Sequence, residues 1–590
     1  MSAVELPPVD VLRRRATARV DALRPVVTAG AALIALEVSG IQRFVIDGAT
    51  DGALEMKARS LLAAILPSVL AWRARTEAGL GAEHEVLLSA GRAVLAVPRD
   101  RREAVTATLR RDALAIQEGT ADALAVDVAW RDLPGAALEA PFDGSFGPAL
   151  EALLERGLEE ARHRRAEGAP DDFWTPAPST STPPAPLGPQ LRTSASRVAA
   201  SANRIAAVGV ASAAAAGADA ILWPPLGIAI TAGASIADVT GRLEGPRLLL
   251  RIDALEPDAA APPGDHLAEL PLAGLWIQAD GDAALDLTEL PARAAGDPTL
   301  AALRLDIDAL GRALHDVAAG KPGADGLRDR LALEEAAALA RGPIADAVTS
   351  SAEGPRGVQQ LLAGTADLLL IGAWSEIVDL AAPLRDALIP GLQRVARALG
   401  ASKAADALDA SAGIAISPPG APLARLVDCA GEELHRAQGE RRTRTGEKRW
   451  KRALSWSGVP IGWQDLRLAV ALGSELARAI SARQVPSGVL WRLAAIHALF
   501  RRHEEALDAG ATRDAAAAAK RRWLWAYQLG RAQAHLQGDG ARLIARLSKL
   551  ALDDVDEGNA RRTEQEAAAW LGIVAEIAHR RTRARVEDRE

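Results

Sequence analysis

At 590 residues the chain is longer than one hydrophobic core supports and predicts several domains of roughly 150 residues each. Charged residues make up 25% and hydrophobic ones 49%, an ordinary globular balance that excludes fibrous and low-complexity classes. The net charge of −7 requires any nucleic-acid partner to be held by local basic patches or by other subunits. A lone Cys429 excludes a disulfide framework and a Cys-cluster zinc site. With no signal-peptide pattern, that points to a reducing cytoplasm.

Residues 1–30 read as a charged lead-in, with Arg13-Arg14-Arg15 on a helix. In residues 31–165, short apolar runs alternate with helical periods. Strands fall at Ala32–Val38, Glu85–Leu88, Ala93–Val97 and Ala123–Trp130, with helices at Ala53–Arg75 and Arg101–Gln117. That β-α-β-β-α-β order predicts a ferredoxin-like sheet with helices on one face. Residues 166–191 are a Pro/Ser-rich linker, too poor in apolar groups to pack.

In the segment 192–270, residues 192–216 read as helical and Leu248–Ile252 as a strand. The apolar stretch Ala206–Gly233 is interrupted by Asp219 and Pro224-Pro225, which argues against a membrane span. The β-α-β-β-α-β order returns over 271–456, with strands at 302–308, 358–363, 367–372 and 411–416 and helices near 326–347, 376–399 and 421–438. Residues 457–590 carry almost no strand signal and predict a C-terminal helical bundle, with Trp523, Trp525 and Trp570 facing its core. The fold class is therefore α+β.

Chemistry concentrates between Leu303 and Trp374. An apolar strand with two alternating acids, Asp306 and Asp308, ends at a helix start; two apolar runs then flank the polar turn Gly364-Thr365-Ala366-Asp367. Strand, helix and hairpin make the core of a nucleotide-polymerising palm, where acids hold a divalent metal against a triphosphate.

Five stretches resemble the large, palm-containing subunit of type III CRISPR–Cas effector complexes in its Csm/Cmr-type forms. Leu36 to Val45 is similar to the family's D-I-S-G-I-Q-x-F-I strand, and Met56 to Ser60 to its L-R-A-R-S helix. Asp306 to Gly311 is similar to D-V-D-N-L-G, and Ala363 to Trp374 to A-G-G-D-D-L-F-L-V-G-x-W. Gly413–Ile416 through Ala430–Leu434 follows the family's closing strand and helix. The resemblance covers both palms and the helical tail. It implies ATP and Mg²⁺ or Mn²⁺ as cofactors of a cyclic oligoadenylate synthetase, where that activity survives. It implies crRNA, target RNA, a repeat-associated handle-binding subunit and small subunits as partners in a hetero-oligomer, with no membrane. It also places Ser39, Gly40, Gln42, Arg59 and Ser60 on the nucleotide side of the first palm.

Departures from the family sit in the metal and phosphate shell. Ala366 stands where the first acid of the turn would ligate metal, and a methyl group cannot coordinate Mg²⁺. Thr365 replaces a glycine, and Gln438 replaces a lysine that reaches the triphosphate. Glu37 stands for Asp and Ala90 breaks the paired glycines of the first palm. The family's N-terminal HD nuclease is not expected, since the first histidine is His84, already in the first palm, and His315-Asp316 reads as a surface pair. Asp306, Asp308 and Asp367 then remain either as vestigial ligands or, for the strand acids, as caps of the following helix. Arg441, Arg442, Arg444, Lys448, Arg449, Lys451 and Arg452, against the single acid Glu447, could meet RNA or a partner's acids or form a solvated loop. Arg521 to Arg531 resembles the tail region that contacts small subunits, its aromatics reading as core.

The sequence therefore predicts a scaffold subunit with a degenerate cyclase. An active or residual synthetase and an ATP sensor without turnover are the alternatives.

Overall fold

The structure, a computed structural model, describes residues 6–47, 53–89, 91–133, 146–167, 287–319, 324–340, 357–363, 367–417, 420–442, 448–508, 527–553 and 567–583, with the strands between 207 and 284 and a few shorter stretches. The chain divides into two compact units. One holds Met1–Leu287, Ala309–Leu368 and Asp386–Leu408; the other holds Thr288–Asp308, Leu369–Arg385 and Asp409–Glu590.

The first unit opens with α1 (Val9–Thr28), followed by β1 (Ala31–Ser39), α2 (Ala53–Glu77), β2 (Glu85–Ser89), β3 (Arg92–Pro98), α3 (Arg102–Gly119) and β4 (Ala125–Asp132). The sheet order is β2-β3-β1-β4, the ferredoxin-like arrangement. Central β1 pairs antiparallel on both sides, with Ile34 opposite Leu95 and Trp130. Ala31 to Leu36 are all buried, which explains the unbroken apolar run: both faces of this strand are covered. Helix α3 buries Val105, Leu109 and Ile116, one stripe at helical spacing. Beyond β4 come α4 (Phe146–Ala152) and α5 (Leu158–Glu167).

The lead-in reading of residues 1–30 needs correction. Helix α1 buries Leu12, Ala16, Val20, Leu23 and Val27 and packs as an integral layer. Its cations pair with acids far along the chain, Arg13 with Asp329 at 2.8 Å and Arg15 with Glu335 at 2.9 Å.

The strands described between 207 and 269 form a second sheet, β5 (Ala207–Ser212), β6 (Ile221–Trp223), β7 (Ile228–Gly233), β8 (Leu248–Arg251) and β9 (His266–Glu269), in the order β6-β7-β5-β8-β9. Thus 207–212 is a strand rather than a helix, and the strand expected at Leu248–Ile252 is present. The helical reading of 192–216 counted alanines, whereas alternating Val208 and Val210 are both fully buried in a strand. Among the described residues no helix is long and apolar enough to cross a membrane.

The second palm begins at β10 (Leu300–Asp308) and runs through α6 (Leu310–Ala318), α7 (Ala324–Leu339), β11 (Val358–Ala363), β12 (Asp367–Ala373), α8 (Trp374–Ala398), α9 (Ser402–Ala407), β13 (Asp409–Ser417) and α10 (Leu423–Gln438). The helix expected near 326–347 is α7, which spans Ala324–Leu339, and α6 precedes it directly after β10. Strand order is β11-β12-β10-β13, the same as in the first palm. The sheet extends through β16 (Ala453–Trp456) and β17 (Val459–Gly462), with a two-stranded ribbon, β14 (Glu440–Arg442) and β15 (Lys448–Trp450), projecting before them. Strand β17 lies inside the segment that carries almost no strand signal in the sequence. The helices α11 (Trp463–Ser481), α12 (Gly488–Asp508), α13 (Gly538–Asp553) and α14 (Leu571–Thr582) follow. Trp570 is fully buried among them, while Trp523 and Trp525 lie outside the described residues.

Two glycines of the resemblance are explained by packing. At Gly413, a Cβ would lie 2.2 Å from the backbone N of Leu434, so α10 rests directly on β13. Gly40 has φ +79°, and a Cβ there would lie 2.2 Å from the carbonyl oxygen of Ala123. Replacing Gly40 by Ala should therefore cost at least about 2 kcal/mol in denaturant unfolding, through left-handed strain and backbone collision together. A cost below about 0.5 kcal/mol would show that the turn is not tightly specified.

Candidate nucleotide site in the palms

Strand alternation puts Asp306 and Asp308 on one face of β10, and the register with β13 sets Asp306 opposite Ser411 and Asp308 opposite Asp409. Neither acid stands open. The Gln438 side-chain amide, at the end of α10, donates to Asp306 Oδ2 at 2.8 Å. Asp308 is only 2% exposed; its Oδ2 accepts from Ser411 Oγ at 2.7 Å and from the backbone N–H of Arg452 at 3.0 Å. Lys451 Nζ lies 3.8 Å from its Oδ1. Lys451 and Arg452 both adopt left-handed backbone (φ +60° and +56°) at the turn that presents this N–H to the carboxylate.

Asp308 is thus a cross-strand anchor, which corrects its reading as a helix cap. The cap position of α6 is Ala309, at φ +61° and with no side-chain cap bond. Burial pushes the Asp308 carboxyl above its ordinary range, partly offset by the Ser411 and Arg452 hydrogen bonds and by Lys451. The like charge opposite, Asp409, is held by Arg385 through two bonds of 2.7 and 2.8 Å. Asp367 opens β12 and is half-buried, while Ala366 lies outside the described residues.

In the first palm, Glu37 is held between Arg92, at 2.5 Å, and Arg162 of α5. Arg162 also lies 3.6 Å from Asp127, which sits opposite Glu37 on β4. Sequence reasoning missed both arginines and Asp127. The one available signal was an acid inside the apolar run Val126-Asp127-Val128. Arg59 lies in the interior: it is 1% exposed, bonded to Glu55 at 2.7 and 3.0 Å and to the Phe44 carbonyl at 3.1 Å. Ser60 donates to the Leu361 carbonyl at 2.5 Å, joining α2 to β11. Ser39 lies 3.5 Å from the Ala125 carbonyl, and Gln42 is half-buried beyond the Gly40 turn.

The ribbon register sets Arg441 opposite Arg449 and Arg442 opposite Lys448; their side chains and all of Arg444 lie outside the described residues. Among the described residues no group of three or more His, Cys, Asp or Glu is placed to hold a metal ion.

Two measurements follow from these contacts. Replacing Ala309 by Asn, which tolerates left-handed backbone, should stabilise the fold by about 1 kcal/mol in thermal or denaturant melts; an unchanged or lower Tm would deny the strain. For Asp308, the native state binds more protons than the unfolded chain between the ordinary carboxylate pKa and the raised native one, so stability falls as pH rises through that window. Lys451→Met removes an attraction felt only by the charged form. Its destabilisation should therefore be clear at pH 8 and shrink toward pH 4, and equal losses at both would uncouple Lys451 from Asp308.

Comparison with known proteins follows the same geography. Residues 299–445 match the family described as Cas10/Cmr2, second palm domain. No curated protein matches the chain. Among solved structures, the Csm1–Csm4 subcomplex of the type III-A CRISPR-Csm interference complex is similar at 17% identity and a TM-score of 0.64, over 94% of this chain and 70% of that one. Csm1 from T. onnurineus is similar at 17% identity and 0.62, and the Csm1–Csm4 cassette in complex with one ATP at 16% and 0.62, both with the same coverage. At such identities the likeness is one of fold. Residues 299–445 thus match a Cas10/Cmr2 second palm domain, within a chain whose fold is similar to that of Csm1.

Proposed function

We propose that the chain is the large subunit of a type III-like, crRNA-guided, RNA-targeting effector complex of the cytoplasm, and that it acts there as a scaffold. The observation that carries this reading is the engagement of the palm acids by the protein's own groups. Gln438 holds Asp306; Ser411, Arg452 and Lys451 hold Asp308; Arg92 and Arg162 hold Glu37. A metal entering the second palm would have to displace these partners, and the position that should supply a further carboxylate is Ala366. Cyclic oligoadenylate synthesis is accordingly lost in this reading.

Similar structures are complexes of Csm1 with Csm4, which supports a hetero-oligomer in which a repeat-associated subunit anchors this chain near the crRNA 5′ handle. The helical tail from α11 to α14 would support the small subunits, and cutting of target RNA would belong to the backbone subunits. The ribbon residues Arg441, Arg442, Lys448 and Arg449 fit contact with RNA backbone or with a partner's acids.

A second reading, ATP binding without turnover, is favoured by one observation. Similar cassettes have been solved with ATP, with AMPPNP and with cA4. With Mn²⁺ or Mg²⁺, ATP and target-loaded complex, the scaffold reading expects no oligoadenylate. Product that disappears in Asp306→Ala would establish the synthetase instead. Calorimetric titration separates the remaining pair, since heat at millimolar ATP supports the sensor and its absence the scaffold.

A further inference from the structure

The helical tail holds a groove that the palm chemistry does not use. It encloses about 640 Å³ between α12, α14 and the turn from β16 to β17, within the size range of ligand sites. Its floor is apolar, with Val459 from β17 and Ile573 from α14. Trp491 at its edge is 77% exposed, the most exposed large apolar side chain among the described residues. By contrast, exposed Trp130 in the first palm is stacked under Arg102 at 4.0 Å.

The wall is graded in chemistry along one helix. Trp491, Ala494, Ala498, Arg501 and Arg502 line it from α12 at helical spacing, so they share one face. From Trp491 to Arg501 is ten residues, roughly 15 Å of helix axis. A single base with its own phosphate cannot touch both ends, whereas a short run of strand can.

Charge on the rim favours an anion. Glu576, the one carboxylate among the described residues lining the groove, already accepts from Arg580 Nε and from Ser457 Oγ, each at 3.0 Å. His497 is held toward its neutral form by burial, and Arg501 and Arg502 are the arginines among the described lining residues, beside His579. Arg501 packs over the turn at Gly458, and Arg502 is exposed beside it.

We propose that this groove binds a short run of single-stranded polynucleotide, with one base stacked on Trp491 and phosphates further along at Arg501 and Arg502. Indole stacking and arginine–phosphate pairing are the sequence-tolerant means by which single strands are held. The Ala positions between them leave room for bases against the helix. The inference does not rest on the scaffold reading of the palms, and an oligoadenylate measurement leaves it untouched.

The test uses the full chain and a fluorescein-labelled ten-nucleotide RNA, read by anisotropy at 50 and 200 mM salt. Trp491→Ala should weaken binding about five- to hundred-fold, the range for loss of one base stack. The double variant Arg501→Glu, Arg502→Glu should weaken it further and flatten the salt dependence. Trp130→Ala, an exposed indole elsewhere, should leave affinity unchanged. Trp491 contributes little to the core, and a wild-type melting temperature confirms that its variant is folded. Photo-crosslinking should place the RNA on the peptide carrying Trp491. Absence of binding, or wild-type affinity in Trp491→Ala, overturns the proposal. So does a variant that loses a protein partner while keeping its RNA affinity, since the groove would then be a protein-docking surface.

Discussion

A carboxylate inside a sheet must be neutralised by something, and here the neutralising groups come from the chain itself. Removing such a group from water without a partner costs several kcal/mol, so each buried acid dictates what surrounds it. Asp308 draws a donor from the facing strand, a backbone N–H from a left-handed turn, and an ammonium nearby. Its neighbour Asp409 draws Arg385. Glu37 in the first palm draws Arg92 across the sheet and Arg162 from a helix 125 residues along the chain. The two copies of one sheet meet the same electrostatic problem with different residues.

That difference explains what was and was not legible in the sequence. Strands of both palms read clearly because β1 and β13 are near-continuous apolar runs, the signature of a strand buried on both faces, and β10 is an apolar run ending in alternating acids. The hairpin read clearly because two such runs flank a four-residue polar turn. What stayed hidden was set by partners distant in sequence. Nothing local marks Arg162 as the partner of Glu37, or α1 as a packed layer whose arginines meet Asp329 and Glu335. Residues 207–212 misled for a different reason: alanine-rich composition outweighed two valines, although burial in a sheet is decided by the neighbours a strand finds.

The candidate site was legible by type more than by role. The departures at positions 366 and 438 could be read directly against the resemblance, which implies a ligand and a cation there. Their consequence could not. Gln438 reads from sequence as a missing positive charge, whereas in the fold it is a hydrogen-bond donor that occupies Asp306. Asp308 reads as a ligand or a cap; the fold removes the cap and shows a carboxylate bonded to Ser411 on the facing strand and to the Arg452 N–H. Arg59 reads as part of the nucleotide-side motif, and the sequence did not show that it bonds Glu55 and the Phe44 carbonyl in the interior of the first palm. A motif names residues; only the fold says which way they face.

On the scaffold reading, loss of chemistry and gain of rigidity are the same set of contacts. An open metal site keeps carboxylates close together, at the cost of mutual repulsion until a cation arrives. Replacing the cation's work with Gln438, Lys451 and the Arg452 N–H removes that dependence, and the second palm can then fold without metal. The change also raises the barrier to return. A carboxylate restored at position 366 would leave Asp306 still bonded by an amide and Asp308 still buried among its own partners. Several partners would have to move together before magnesium gained a complete shell. Loss spread over many contacts in this way is harder to reverse than one missing ligand, and it leaves the palm as a building block whose acids serve the sheet.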